Sequence, residues 1–126
     1  MSQRILVIED DPINQKLFHD FFTAHGYRVS IARTGPEGVE KAAILRPDLV
    51  VCDVLLPQRS GFEVCFEIKR TPHGKKTPVF LMSAIYKDLE HAEGYARNDL
   101  KAQAYFVKPF DLERLLSHVQ LFIGDA

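Results

Sequence analysis

Polar side chains follow four of the short apolar runs in this chain. Glu9 and Asp10 come directly after ILVI, Asp53 follows LVVC, Ser83 follows VFLM, and Lys108 follows YFV. A carboxylate at the end of a buried segment is costly unless a cation or a hydrogen-bond donor meets it. Acids, a hydroxyl and an ammonium group together suit phosphoryl transfer, because that reaction requires charge on the phosphoryl oxygens to be neutralised.

The acids would form a cluster of Glu9, Asp10 and Asp53, whose charges repel and raise one another's proton affinity. Mg2+ relieves such repulsion, since this hard cation binds carboxylate oxygens and water in an octahedron. With the metal bound, Asp53 stays ionised and can attack phosphorus as a nucleophile. The sequence contains no glycine-rich phosphate loop and no nucleotide-binding signature. We therefore expect the phosphoryl group to arrive already activated, from another protein or a small phosphodonor.

Alternating apolar and amphipathic segments must position these groups. Near-continuous apolar runs predict buried strands, and periodic apolar positions predict helices. The predicted strands cover residues 5–8, 29–32, 49–52, 79–82 and 105–107, and the predicted helices cover 12–25, 34–46, 62–70, 87–98 and 112–119. This alternation indicates an α/β fold with a doubly wound, five-stranded parallel sheet and helices on both faces. Polar residues interrupt the strand at 29–32, so we expect it at an edge of the sheet.

The carboxyl ends of parallel strands meet at one edge of their sheet, where open α/β sheets bind ligands. The five polar residues should therefore converge there, although they are far apart in sequence. Each of them alone has an ordinary explanation as a loop or turn residue, and Asp11 is interpreted only as a helix cap. Their joint occurrence at four strand ends favours a functional site.

Composition limits the class of protein. The chain has 126 residues, a length typical of one domain, and we treat 1–126 as that domain. A net charge of -1 gives no reason to expect direct binding to nucleic acid or to an anionic membrane. No apolar run approaches the roughly 20 residues that span a bilayer. Cys52 and Cys65 stand among apolar neighbours and are expected to be reduced core residues, which favours a cytoplasmic protein.

Four segments of the chain, ILVIEDDP, PDLVVCDVLLPQRSGFEV, TPVFLMSA and YFVKPF, resemble in content and order the receiver domain of bacterial two-component response regulators. The resemblance covers essentially the whole chain and implies a flavodoxin-like sheet in the order 2-1-3-4-5. It implies a signalling domain rather than an enzyme, although a receiver catalyses its own phosphorylation and dephosphorylation. Asp53 would be the phosphoacceptor, which receives its phosphoryl group from a histidine kinase or a phosphotransfer protein.

The same resemblance implies how the site would work. Mg2+ would bind Asp10 directly, Glu9 mostly through water, and also Asp53 and the backbone carbonyl of Leu55. Lys108 would bind the phosphoryl group.

The resemblance also implies a switch. Ser83 and Tyr105 would be the switch residues, and phosphorylation would remodel the face built from the fourth helix, fifth strand and fifth helix. That face would pass the signal to an output domain or protein, and a homodimer could also form through it. Leu55 and Ile85 flank the site with apolar side chains, from which we expect a poorly positioned attacking water and a long-lived phosphoaspartate.

The sequence departs from the family pattern in one region. Residues 84–101 form a longer segment than is usual, and Lys101 stands where receivers commonly have glycine. The basic stretch at 69–76 lies at the opposite edge of the sheet and is interpreted as a solvated loop, with a partner-docking surface as the alternative.

Two other classes of function are compatible with the residues. One is a receiver-like interaction module that works without phosphorylation. The other is an aspartate-nucleophile phosphatase of the haloacid dehalogenase type. Such a phosphatase normally carries a second acid two residues after its nucleophile, where this chain has Leu55.

Overall fold

The fold is that of a computed structural model, which describes residues 3–83, 101–107 and 111–125. Its strands form one five-stranded sheet in the order β2-β1-β3-β4-β5, and every neighbouring pair is parallel. The strands are β1 (Arg4–Ile8), β2 (Arg28–Ala32), β3 (Leu49–Asp53), β4 (Val79–Ser83) and β5 (Ala104–Val107). The predicted sheet and its order are confirmed, with β2 at an edge. Asp53 and Ser83 are the last residues of their strands rather than the residues after them.

Helices follow the strands β1, β2, β3 and β5. They are α1 (Pro12–Ala24), α2 (Gly35–Leu45), α3 (Gly61–Lys69) and a C-terminal helix (Leu112–Ile123), with a short 3-10 helix at Gly74–Lys76. The predicted helix at 87–98 and the predicted site residue Lys108 lie outside the described residues.

The ends of these helices follow local chemistry. Asp11 caps α1, because its side chain accepts a hydrogen bond from the backbone N–H of Ile13 at 3.1 Å, and Pro12 occupies the first helical position. Helix α2 ends just before Arg46, which has a left-handed φ of 48°. The following Pro47 disfavours the right-handed helical conformation at Arg46 and so terminates the helix.

Apolar side chains fill both faces of the sheet. On one face, β-strand residues pack with residues of α2 and α3, which include Ala42, Val64, Cys65 and Ile68. On the other face they pack with residues of α1 and the C-terminal helix, which include Phe18, Phe22, Leu115 and Val119. Strands β3 and β4 are buried along their whole length, which explains why their sequences are almost continuously apolar.

The basic stretch at 69–76 is more ordered than the solvated loop expected from its sequence. It contains the end of α3 and the 3-10 helix, and of its lysines Lys75 and Lys76 are exposed. Lys69 is half-buried and donates hydrogen bonds to the backbone carbonyl of Thr77 and, at 3.0 Å, to the side-chain oxygen of Gln103. Burial lowers the pKa of Lys69 below its ordinary value. This lysine therefore links the end of α3 to the segments that lead into β4 and β5.

The two cysteines are buried free thiols, as the sequence indicated. Within residues 3–83, 101–107 and 111–125, the structure contains no helix with the length and apolar character that a membrane crossing requires.

Candidate functional site

Strand register brings the predicted acids together at the carboxyl edge of the sheet. Ile8 of β1 lies opposite Cys52 of β3, so the next residues, Glu9 and Asp53, lie side by side at the carboxyl ends of these strands. One carboxylate oxygen from each of Glu9, Asp10 and Asp53 lies within 4.8 Å of the others. Residues 43 positions apart in sequence, Asp10 and Asp53, thus form one acidic cluster because the strands that carry them are neighbours.

The acids of this cluster differ in their exposure. Glu9 is fully buried and Asp53 is 6% exposed, whereas Asp10 is exposed. A buried carboxylate needs hydrogen-bond donors. Glu9 obtains them locally, since its Oε2 atom accepts from the backbone N–H groups of Asp10 at 3.0 Å and Asp11 at 3.5 Å.

A residue that the sequence did not reveal holds the turn between β1 and α1. The side-chain amide of Gln15 donates a hydrogen bond of 2.7 Å to the backbone carbonyl of Glu9. Gln15 also belongs to the first turn of α1, because its backbone N–H donates to the carbonyl of Asp11 at 2.9 Å. Its signal in the sequence is weak: a polar residue in the first turn of a helix is usually a solvated one.

The loop after β3 folds back against Asp53. The backbone N–H of Leu55 donates to the Oδ1 atom of Asp53 at 3.3 Å, and the N–H of Gly61 donates to the carbonyl of Val54 at 2.8 Å. Leu55 therefore lies beside Asp53, and its side chain is 57% exposed. Asp53 is thus held at the end of β3 by the start of the loop, while α3 begins beside it.

Ser83 and Tyr105 occupy neighbouring strands near this edge. Ser83 is buried at the end of β4, one residue beyond Met82, which lies opposite Asp53. Tyr105 is 5% exposed in β5, opposite Leu81. Since side chains alternate along a strand, Ser83 and Tyr105 share the sheet face that α2 and α3 cover. The position of Lys108 relative to them lies outside the described residues.

The residue before Asp53 is Cys52, whose thiol is poorly reactive. Burial raises the pKa of the Cys52 thiol well above its ordinary value, and Cys65, Asp53 and Glu9 shift it further in the same direction. A thiol that stays protonated is a poor nucleophile. A nucleophile at this edge of the sheet would therefore be an oxygen atom of the acidic cluster rather than the sulfur of Cys52.

Comparison with known proteins matches this arrangement to one family. Residues 5–120 match the response regulator receiver domain. The DNA-binding dual master transcriptional regulator RpaA of Synechocystis is 34% identical over 120 residues, which are 95% of this chain and 48% of RpaA. The polar-differentiation response regulator DivK of Brucella anthropi is 32% identical over 126 residues, which cover 100% of both chains. The chain thus spans about half the length of RpaA and the whole length of DivK.

Solved structures agree in fold. The receiver domain of sensor histidine kinase PA1611 from Pseudomonas aeruginosa, which has a magnesium ion coordinated in its active site cleft, is 30% identical with a TM-score of 0.83. This match covers 99% of this chain and 100% of the other. The response regulator TrrA from Thermotoga maritima, in complex with Mg(2+)-BeF, is 29% identical with a TM-score of 0.82, over 96% of this chain and 99% of its own.

The parallel sheet in this order, with its acidic cluster at the carboxyl edge, defines a signalling domain of the receiver class. The chain belongs to the response regulator receiver domain family and is therefore a receiver domain of the two-component type.

Proposed function

We propose that this domain receives a phosphoryl group on Asp53 and that the phosphorylated state changes its output surface. The observation that carries the proposal is the cluster of three carboxylates at the carboxyl edge of the sheet, all within 4.8 Å of one another. In this cluster Asp53 is nearly buried at a strand end, and Leu55 donates a hydrogen bond to it. A carboxylate that is fixed in this way can attack phosphorus with little loss of conformational freedom.

The donor set fits Mg2+, which prefers carboxylate oxygens and keeps several waters. Asp10 is the exposed acid of the cluster and would bind the ion directly, while buried Glu9 would act mostly through water. The carboxylate of Asp53 and the backbone carbonyl of Leu55 would complete the set of protein ligands to the ion. When bound, Mg2+ would neutralise charge on the carboxylates and on the phosphoryl oxygens.

Three residues are proposed to respond to the phosphorylation of Asp53: Ser83, Lys108 and Tyr105. The Ser83 hydroxyl would donate to a phosphoryl oxygen, and Lys108 would supply a positive charge. Phosphorylation adds about two negative charges, which would draw Ser83 toward Asp53. Tyr105 shares a sheet face with Ser83, which supports a coupled movement of the two side chains. The face around β5 would then present a different surface to an output domain or protein, or to a second copy of this chain.

The phosphodonor is proposed to be a histidine kinase or phosphotransfer protein that docks on α1. Two apolar side chains one helical turn apart, Ile13 and Leu17, are 78% and 45% exposed. They lie on the helix that begins directly after the acidic cluster, so an apolar helix of the donor could cover them while its phosphohistidine faces Asp53. We expect this exchange to take place in the cytoplasm, where Cys52 and Cys65 stay reduced, without direct binding of nucleic acid.

Phosphorylation can be tested by intact-protein mass spectrometry after treatment with acetyl phosphate and Mg2+. The wild-type domain should gain one phosphoryl group, and Asp53→Asn should gain none. Asp11→Asn is the matched control, because asparagine still caps α1 and leaves the three clustered acids in place. Folded wild-type protein that stays unlabelled would favour an interaction module instead. Steady turnover of a phosphomonoester would favour a phosphatase.

The donor surface can be tested in the same assay with a phosphorylated histidine phosphotransfer protein. Ile13→Ser should slow labelling by this protein donor and leave labelling by acetyl phosphate unchanged. Leu121→Ser is the matched control, since Leu121 is also 78% exposed but lies on the C-terminal helix. Equal slowing by both variants would argue against docking on α1.

The lifetime of the phosphorylated state follows from the same samples. We propose that apolar Leu55 and Ile85 leave the attacking water poorly positioned, so the phosphoaspartate should persist after the donor is removed. A half-life of only seconds would contradict this expectation.

A further inference from the structure

A single peptide group links the two acids that β1 presents to the cluster, and side chains hold both of its polar atoms. The N–H of Asp10 donates to the carboxylate of Glu9 at 3.0 Å. The C=O of Glu9, which lies in the same peptide plane and points in the opposite direction, accepts from the side-chain amide of Gln15 at 2.7 Å. Because a peptide group is planar, these bonds fix the rotation of the whole unit between Glu9 and Asp10.

The turn after β1 is anchored on both sides of this peptide. The backbone N–H of Glu9 donates to the carbonyl of Ala32 in β2 at 2.9 Å. At the other end, Asp11 caps α1 and its carbonyl accepts from the backbone N–H of Gln15 at 2.9 Å. Gln15 thus contacts the turn twice, once through its backbone and once through its side chain. Rotation of the Glu9–Asp10 peptide would break the second contact and swing the Asp10 carboxylate.

Two groups could compete for the carboxylate of Glu9: the backbone N–H of Asp10 and a cation bound in the cluster. The Oε2 atom that holds the N–H of Asp10 belongs to the same carboxylate that lies within the acidic cluster. A cation in the cluster would compete with that N–H for the oxygen. The bond from Gln15 is free of this competition, since it lies on the carbonyl side of the peptide and involves no acid.

We propose that Gln15 is a positioning residue for the divalent cation: its side-chain amide fixes the Glu9–Asp10 peptide so that the Asp10 carboxylate faces Asp53. The inference rests on the proposed magnesium site and adds to it a residue that would touch neither the ion nor the phosphoryl group. Side chains that orient metal ligands in this way typically change metal affinity by about 10- to 100-fold when removed.

The test compares Mg2+ affinity, by calorimetric titration of the metal-free domain, in the wild type and in variants of Gln15. Gln15→Met keeps the length of the side chain and removes its donor, so it should weaken Mg2+ binding by about 10-fold. Gln15→Glu is a second, nearly isosteric variant. It separates the effect of the hydrogen bond to Glu9 from the effect of charge near the cluster. Its added negative charge should tighten Mg2+ binding by electrostatics alone, but a carboxylate cannot donate to the Glu9 carbonyl, so positioning predicts weaker binding.

A matched control is available in the C-terminal helix. Gln120 also donates a side-chain hydrogen bond, to Asp125 at 2.9 Å, and lies on a different helix. Gln120→Met should bind Mg2+ as the wild type does. The backbone amide signal of Asp10 in a nitrogen–proton correlation spectrum provides a readout without metal: it should shift in both Gln15 variants and stay in place in Gln120→Met.

The outcomes are distinguishable. Wild-type affinity in Gln15→Met, together with tighter binding in Gln15→Glu, would overturn the role of Gln15 and leave the magnesium site intact. A Gln15→Met protein that fails to fold, combined with a folded Gln15→Glu of normal or higher affinity, would also overturn it. A folded wild-type domain that binds no Mg2+ would overturn the magnesium site itself and this inference with it.

Discussion

Lys101 adopts a left-handed backbone conformation, with φ of 61°. This conformation costs a residue with a Cβ atom roughly 1–2 kcal/mol, whereas glycine adopts it freely. Lys101 is exposed and lies in the segment that leads into β5. The unusual residue noted in the sequence is therefore a site of backbone strain, two residues before the contacts that Gln103 makes with β4.

Lys101→Gly should stabilise the domain by about 0.5–1 kcal/mol, because relief of the strain exceeds the entropy that glycine adds to the unfolded chain. The free energy of unfolding in urea measures this change. Lys101→Ala is the matched control, since it removes the same side chain and keeps the strain. If alanine and glycine stabilise the domain equally, the effect belongs to the lysine side chain and not to its backbone conformation.

At the scale of elements, the junction of β3 and α3 depends on the close approach of two backbones. Gly61 begins α3, and a Cβ atom placed on it would overlap the backbone carbonyl of Asp53 and lie 2.7 Å from the Cα atom of Val54. Backbone atoms cannot yield as flexible side chains can, so any other residue must push α3 away from β3. Strand β3, which ends at Asp53, and the helix after it are therefore in direct backbone contact.

Gly61→Ala should destabilise the domain by about 2 kcal/mol or more and slow the proposed labelling of Asp53, since the displaced carbonyl belongs to Asp53 itself. Urea unfolding and mass spectrometry with acetyl phosphate measure these effects. Gly124→Ala serves for comparison: Gly124 has φ of 75°, but a Cβ atom there meets nothing within 4 Å. Gly124→Ala should be destabilised only by the strain of the left-handed backbone conformation, and its Asp53 should be labelled at the normal rate. Normal labelling in Gly61→Ala would contradict the proposed coupling.

At the scale of the whole molecule, both helical layers pack on one sheet, which supports the proposal that residues 1–126 fold as one domain. Two buried thiols, Cys52 and Cys65, lie in the core between the sheet and one of these layers. Burial raises the pKa of Cys65 to about 11 from 9.0, and burial likewise raises the pKa of Cys52. Because the unfolded chain loses its thiol protons first, the stability that Cys65 contributes is complete below pH 9 and is lost as the pH rises toward 11.

The domain should therefore unfold more easily at alkaline pH. Cys65 alone accounts for a loss of up to about 3 kcal/mol between its unfolded and folded pKa values. Cys65→Ala should be less stable at neutral pH because it leaves a small cavity, but its stability should fall less steeply above pH 9. Urea unfolding across this range, followed by circular dichroism, measures both slopes. Parallel slopes in the two proteins would contradict a role for Cys65.

The same unfolding curves test the proposal of one domain. A single transition, with the same midpoint by circular dichroism and by labelling of the buried thiols, is expected for a domain whose layers share their strands. Two separated transitions would argue for two folding units.

The sequence by itself determined the α/β class and the cap of α1 at Asp11, because apolar periodicity and capping residues are local properties of the chain. It also determined which acids could bind a cation, since a carboxylate at the end of an apolar strand is unusual wherever it occurs. The sheet order and the expected roles of Asp10, Ser83 and Tyr105 came from the family resemblance. Without that resemblance, strand patterns alone permit several orders.

Only the tertiary structure decided how the acids are held. The bond from Gln15 to the Glu9 carbonyl, and the overlap that Gly61 avoids at Asp53, depend on sub-ångström positions in a folded turn. Lys69 donates hydrogen bonds to Thr77 and Gln103, and Gln103 is 34 positions away from it in the sequence. No local sequence pattern predicted these contacts either. Local patterns report what a residue prefers, whereas these contacts arise when packing of both layers fixes where the strands end.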